Sequence, residues 1–262
     1  MFAEGARSDV DDHLAVEEPL EFRIGETPIA VLMRTPGDEV PLALGFCLTE
    51  GILLSPKEFD GAVRLDEGRF EIRLAKGVSV DPEQFRRNTY TTSSCGVCGK
   101  ASIDAVLIAA RPVPEGPMLE SDAVFAAVED LTRVQPEFMR TGGIHGAAVR
   151  LADGTILGVA EDIGRHNAVD KAIGKAATKR WPIGESMLVV SGRTSFEIAQ
   201  KAAVAGIPVV AGVSAASSLG VQLATDLGMT LIGFVRDRRM VVYTGVERLL
   251  SLIHISEPTR LQ

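Results

Sequence analysis

The residues with most chemistry to offer are two thiols three positions apart, in Cys95-Gly96-Val97-Cys98. Such a pair can be attacked, oxidised or metallated together. Gly96 and Gly99 let the backbone approach a ligand closely. Lys100 and the start of a helix expected over Ser102–Ala110 both favour thiolate, the nucleophilic form. Three chemistries fit: a reactive thiol, half of a structural zinc site, or a plain redox pair. A zinc site wants four ligands and there is no second CxxC, so His145 and His166 would have to complete it. Cys47 lies within the apolar run Leu42–Leu48 and reads as a buried core thiol.

Five further constellations stand at strand ends. Thr141-Gly142-Gly143-Ile144-His145-Gly146 puts His145 at a strand start, facing a cleft or serving as a satisfied structural group. Glu161-Asp162-Ile163-Gly164-Arg165-His166-Asn167, followed by Asp170 and Lys171, joins a strand to a helix, where open α/β sheets place ligands. Solvated capping by Asp162 is the plainer alternative. Ser191-Gly192-Arg193-Thr194-Ser195 repeats the strand, glycine turn and helix start. Its free N–H groups, the Thr194 and Ser195 hydroxyls and the Arg193 guanidinium suit a phosphate. It is not a P-loop, because the GxxxxGK[ST] spacing and its lysine are missing. Ser214-Ala215-Ala216-Ser217-Ser218 has the same geometry. Phe234-Val235-Arg236-Asp237-Arg238-Arg239 is a cationic turn beside an aromatic, suited to a nucleotide diphosphate or else a solvated hairpin turn. Together these turns point to a large phosphate-bearing ligand.

The elements that must position these groups follow from periodicity and turn residues. Strands are expected at Pro19–Ile24 and Pro28–Arg34, a helix at Glu39–Glu50, and a hairpin of Ala62–Leu65 and Arg69–Leu74. Ser121 is expected to cap an amphipathic helix that aligns Val124, Phe125, Val128, Leu131 and Val134. Beyond Thr141, strands at Ile144–Leu151, Thr155–Ala160, Met187–Ser191, Pro208–Val213, Met229–Val235 and Met240–Tyr243 alternate with helices at Arg165–Lys179, Thr194–Ala205 and Ala216–Leu227. That alternation argues for a mostly parallel sheet covered on both faces, begun and ended by hairpins. The organisation read from these elements is an acidic mobile tail (1–18), a small α+β subdomain (19–92), a CxxC loop, helix and proline-rich linker (93–118), a main α/β domain (119–249) and a C-terminal tail (250–262).

Composition sets outer limits. Lys and Arg number 27 against 35 Asp and Glu, a formal charge of −8. Ten acids against three arginines fall within residues 1–40, so that segment carries −7 and the rest of the chain only −1. A near-neutral body excludes a broad nucleic-acid footprint but leaves room for a local anion site. Three cysteines and no basic, apolar leader fit a cytoplasmic setting. No run reaches the roughly 18 apolar residues of a membrane helix, so no membrane role is expected.

Several of these strings resemble those of the formate dehydrogenase accessory sulfurtransferases, the FdhD family. They are Ser93-Ser94-Cys95-Gly96-Val97-Cys98-Gly99, Arg34-Thr35-Pro36-Gly37 with Leu44-Gly45-Phe46, the Thr-Gly-Gly-Ile-His segment, Glu161–Lys171, Ser191–Glu197 and Gly233–Thr244. They stand in the family's order from about Glu18 to Glu247. The resemblance implies a cytidine deaminase-like three-layer α/β domain with a mixed sheet, a smaller N-terminal α+β subdomain, and a homodimer. It also implies a sulfur carrier that takes persulfide sulfur from a cysteine desulfurase and passes it to the molybdenum bis-guanine-dinucleotide cofactor, bound as substrate, for formate dehydrogenase. By position Cys95 would hold the persulfide with Cys98 as partner, and Phe234–Arg239 would contact the cofactor. Arg193, Thr194 and Ser195 would help grip the guanine-nucleotide phosphates, and His145 and His166 would handle protons. No catalytic metal of its own is expected. The H-x-E of zinc deaminases is absent, since neither histidine has Glu two residues on. Rival readings are a thiol–disulfide oxidoreductase, a non-catalytic cofactor chaperone and a zinc-dependent hydrolase. Ser251–Gln262 departs from the family pattern and receives no function.

Overall fold

Alternating Phe70 and Ile72 inward with Arg69, Glu71 and Arg73 outward is a period-two pattern that fits a half-buried strand. In the computed structural model, described for residues 2, 3, 6, 7, 9, 11–81 and 111–250, this stretch is a strand. Two-residue strands β1 (Phe2–Ala3) and β2 (Ala6–Arg7) pair near the N-terminus. Strands β3 (Glu18–Ile24), β4 (Thr27–Arg34), β5 (Phe59–Arg64) and β6 (Arg69–Leu74) form a sheet in the order β4-β3-β6-β5. The two expected hairpins are thus fused through a parallel β3–β6 pairing. Helix α1 (Glu39–Thr49) lies between them in sequence. Leu20, Phe22, Ile29, Leu42, Leu48 and Ile72 close this layer's core. Cys47 is buried there, as expected, and burial, with the charges of Asp170 and Glu50, pushes its thiol well up.

The second layer set is built on β8 (His145–Leu151), β9 (Ile156–Asp162), β10 (Ser186–Val190), β11 (Val209–Gly212), β12 (Thr230–Arg236) and β13 (Arg239–Thr244). Their order is β13-β12-β11-β10-β8-β9. The expectation of a mostly parallel sheet is corrected. β10–β11 and β11–β12 are parallel, whereas β8–β9, β8–β10 and β12–β13 are antiparallel. The hairpins that begin and end the run join the sheet themselves, and a hairpin's strands are necessarily antiparallel. Short strands β7 (Leu119–Glu120) and β14 (Leu249–Leu250) pair in parallel beside it.

Side-chain alternation assigns the two faces. Ala147, Val149, Leu188, Val190, Val210 and Leu231 face helices α4 (Arg165–Ala177), α5 (Phe196–Val204) and α6 (Ser218–Asp226). Ala148, Met187, Val189, Val209, Ala211 and Ile232 face α2 (Ser121–Arg133). The main unit is therefore a three-layer α/β arrangement on a mixed sheet. Ser121 is the first helical residue rather than the cap; Glu120 takes that position and no side chain caps the helix. Val134 lies just past the helix end and is partly exposed. A short helix, α3 (Pro136–Thr141), was not anticipated; it ends on Gly142 in the left-handed region. Residues 111–118 have no regular structure, and Val113 N–H donates to the Leu227 carbonyl. The helix expected over Ser102–Ala110 lies outside the described residues. No helix among the described residues is long and apolar enough to cross a membrane.

Helices α1 and α4 pack with their backbones almost touching. A Cβ on Gly45 would sit 1.8 Å from the Asp170 carbonyl oxygen, and one on Gly174 would sit 2.0 Å from that of Pro41. Gly45→Ala must force these helices apart, with an overpacking cost of ~3 kcal/mol. Urea denaturation should show a lower midpoint for this variant, whereas Ala43→Gly in the same helix should not separate α1 from α4.

Candidate functional site

Strand direction decides where the polar turns meet. The ends of β9, β10, β11 and β12 and the starts of β8 and β13 all fall on one edge of the sheet, because His145 pairs with Asp162 and Arg236 with Arg239. The constellations around His145, Arg165–His166, Ser191–Ser195, Ser214–Ser218 and Phe234–Arg239 therefore share a single ridge. Cys95 and Cys98 lie outside the described residues.

At the β8–β10 corner, Gly146 N–H donates to Ser191 Oγ (2.9 Å), and Ser191 N–H donates to the Gly146 carbonyl (3.0 Å). The His145 ring lies against the Gly192 turn, where a Cβ would make ordinary van der Waals contact with Nδ1 at 3.5 Å. Burial first, then the charges of Arg165 and His166, hold the His145 pKa below its ordinary value, with Asp162 pulling the other way. The ring is thus neutral at neutral pH. His166, in the first turn of α4, places Nε2 2.6 Å from Glu197 Oε2 in the first turn of α5. Glu197 was not singled out by residue type, and nothing short of the α4–α5 geometry pairs it with His166.

The Ser191–Ser195 turn is less open than its sequence implies. Arg193 is exposed, but Thr194 is fully buried and its hydroxyl has no partner. Ser195 occupies the N-cap of α5 without capping it, and its hydroxyl is also buried and unpaired. Thr194 is pinned by its backbone to Ala215 and Ser217. Of the polar side-chain groups of these three residues only the Arg193 guanidinium faces solvent as the chain stands.

The Phe234–Arg239 segment is a strand bulge followed by a two-residue turn. Asp237 and Arg238 both have positive φ (49° and 55°), the backbone that a tight hairpin of this twist requires. Phe234 also has positive φ (52°), which is strained for a bulky side chain. Its N–H is held by the Ser214 carbonyl (3.0 Å) and its ring is partly exposed. Val235 points the other way, into the core against α2, so its side chain contributes packing. Arg238 is engaged by Asp122 and stacks 5.4 Å from the Phe125 ring centroid. Arg236 and Arg239 face solvent.

The Glu161–Lys171 constellation is corrected in part: Asp162 does not act as a solvated cap. Its carboxylate is fully buried, pairs with Lys171 Nζ at 2.7 Å, and accepts from Gly164 N, Asn167 Nδ2 and Thr35 N. Lys171 also donates to the Thr35 carbonyl, and Asn167 to that of Met33. These residues hold the N-terminal layer against the ridge, so the density of polar residues reflected a joint as well as a surface. Asp170 belongs to a second joint, where Lys201 Nζ donates to Asp170, Glu50 and Thr49. Burial alone would lower the Lys201 pKa, but the two carboxylates outweigh it and keep the ammonium charged. Among the described residues no group of three or more His, Cys, Asp or Glu is placed to hold a metal ion.

Fold and ridge define a three-layer α/β protein with its polar turns gathered along one sheet edge and a small α+β layer locked beside them. The chain belongs to the FdhD/NarQ family, whose model matches residues 15–250. It is 46% identical over 258 residues to the sulfur carrier protein FdhD of Streptomyces coelicolor, covering 94% of this chain and 92% of that one. It is 48% identical over 251 residues to the sulfur carrier protein FdhD of Mycobacterium tuberculosis, covering 90% and 91%. A candidate formate dehydrogenase accessory protein from Desulfotalea psychrophila has a crystal structure with the same fold. The TM-score is 0.76 at 24% identity, over 95% of this chain and 96% of the other.

The depressed His145 pKa gives a signed expectation. The unfolded chain takes up the histidine proton near pH 6.5, before the folded one does, so stability is complete above that pH and falls as pH drops toward the folded value. The slope should stay well under ~1.4 kcal/mol per pH unit, because the ring is only half-buried. Denaturant titrations between pH 7.5 and 5.5 should show this component in the parent and lose it in His145→Gln.

Proposed function

We propose that the chain is a sulfur carrier, moving persulfide sulfur from a cysteine desulfurase to the molybdenum bis-guanine-dinucleotide cofactor used by formate dehydrogenase. The observation that carries this reading is the Cys95-Gly96-Val97-Cys98 pair in a chain 46% identical, over nearly its whole length, to a protein named as a sulfur carrier. In the first step the Cys95 thiolate attacks the outer sulfur of the desulfurase persulfide. A new S–S bond forms on Cys95, the old S–S bond breaks, and the desulfurase cysteine leaves as a thiolate. In release, the Cys98 thiolate attacks Cys95 Sγ: a Cys95–Cys98 disulfide forms, the persulfide S–S bond breaks, and the outer sulfur leaves as hydrosulfide; a cellular thiol then reduces the disulfide for the next cycle.

The cofactor is the substrate here, and the ridge suits its size. His145 on β8 and Arg236 on β12 are three strand spacings apart, about 14 Å, so a ligand reaching both must be extended. Arg193, Arg236, Arg238 and Arg239 are exposed cations for guanine-nucleotide phosphates, Arg238 in a surface pair with Asp122, and Phe234 offers an aromatic face beside them. Val235 supports that turn from behind. Thr194 and Ser195 hydroxyls join the grip only if the α5 start opens. His145 and His166 are the groups for proton transfer. The proposal extends to a homodimer of cytidine deaminase-like main domains in the cytoplasm.

Function in a cell separates carriage from mere cofactor binding. In a strain lacking its own sulfur carrier of this family, the parent chain should restore formate dehydrogenase activity and Cys95→Ala should restore less than about one hundredth of it. Full restoration by Cys95→Ala would leave only a chaperone role.

A further inference from the structure

A groove of about 560 Å³ opens far from the ridge, where the N-terminal layer meets the C-terminal end of α4. Its volume lies within the range of binding clefts. Leu44, Pro56, Phe59 and Trp181 give it an apolar floor. Lys57, Lys179 and Arg180 stand exposed around it, and no acidic residue among those described lines it. Lys57 and Lys179 have no ion-pair partner among the described residues. Arg180 pairs at 2.8 Å with Glu185, itself well exposed, and such surface pairs hold little energy. Beyond residue 40 the chain has almost no net charge, so two unpaired lysines and a surface-paired arginine around one apolar floor are a local excess.

We infer that this groove is a docking site for a partner protein that presents a short acidic segment with an apolar anchor. An apolar floor takes the anchor, and the cationic rim selects flanking carboxylates and steers them in. A neutral or basic segment gains nothing from the rim. His166 lies 11 residues before Ala177 along α4, about 17 Å from the groove, so a partner docked here leaves the strand-end ridge open. The inference is independent of the sulfur-carrier reading.

Trp181 is the chain's single tryptophan, and its Nε1 donates to the Leu54 carbonyl at the groove, so intrinsic fluorescence reports occupancy directly. The probes are two fluorescein-labelled decapeptides with a central Leu-Phe pair, one flanked by glutamates and the other by lysines. The glutamate peptide should bind saturably at about 0.15 M salt and shift the Trp181 emission, and the lysine peptide should do neither. K57E/K179E/R180E changes only exposed residues; with its circular dichroism unchanged, it should bind the glutamate peptide at least about tenfold more weakly. Trp181→Phe should keep the anisotropy signal and lose the emission shift. Equal binding of both peptides, binding without a Trp181 response, or no effect of the charge reversal would overturn the inference. So would self-association of the parent chain abolished by the same reversal, which would assign the groove to a second copy.

Discussion

A carboxylate with no exposure to solvent, Asp162, holds the two halves of this structure in register. It sits where β9 ends and the ridge begins, and its partners come from both sides: Lys171 and Asn167 from α4, Thr35 from the N-terminal layer. A buried carboxylate is costly unless paired and hydrogen-bonded, and removing one partner of such a pair typically costs ~3–5 kcal/mol. The consequence is positional. Once Asp162 is satisfied, the start of α4 is anchored, and His166 in its first turn is held beside Glu197. Gly45 and Gly174 complete the joint by letting α1 and α4 approach to backbone contact.

Much of this was legible in the sequence. Every strand and helix expected within the described residues of the main unit was found to within a few positions, because each carried both a periodic apolar pattern and a glycine or proline boundary. Sheet direction was not legible, since β8 and β10 reveal their antiparallel pairing only once their order in the sheet is known. Helix α3 was missed because six residues between Pro136 and Thr141 are too few to show a period. The ridge itself was legible as a set of strand-end turns, although their meeting on one edge needed the topology.

The same limits governed the individual side chains. Residue type identified Arg193, Arg236 and Arg239 as cations, and exposure agrees with that reading. It could not distinguish Arg238, which α2 engages through Asp122 and Phe125. Nor could it tell that Val235 faces inward against α2, or that Thr194 is covered beside the turn that leads into α6. Around Asp162 and Lys171 the limit is the reverse: local polarity resembles a site whether the partners are a ligand or another layer of the same protein.

Sulfur held on Cys95 adds mass to the intact chain. After incubation with a cysteine desulfurase and cysteine, the parent chain should gain one sulfur atom that a reductant removes, and Cys95→Ala should gain none. No gain in the parent chain, or an equal gain in Cys95→Ala, would rule out Cys95 as the carrier.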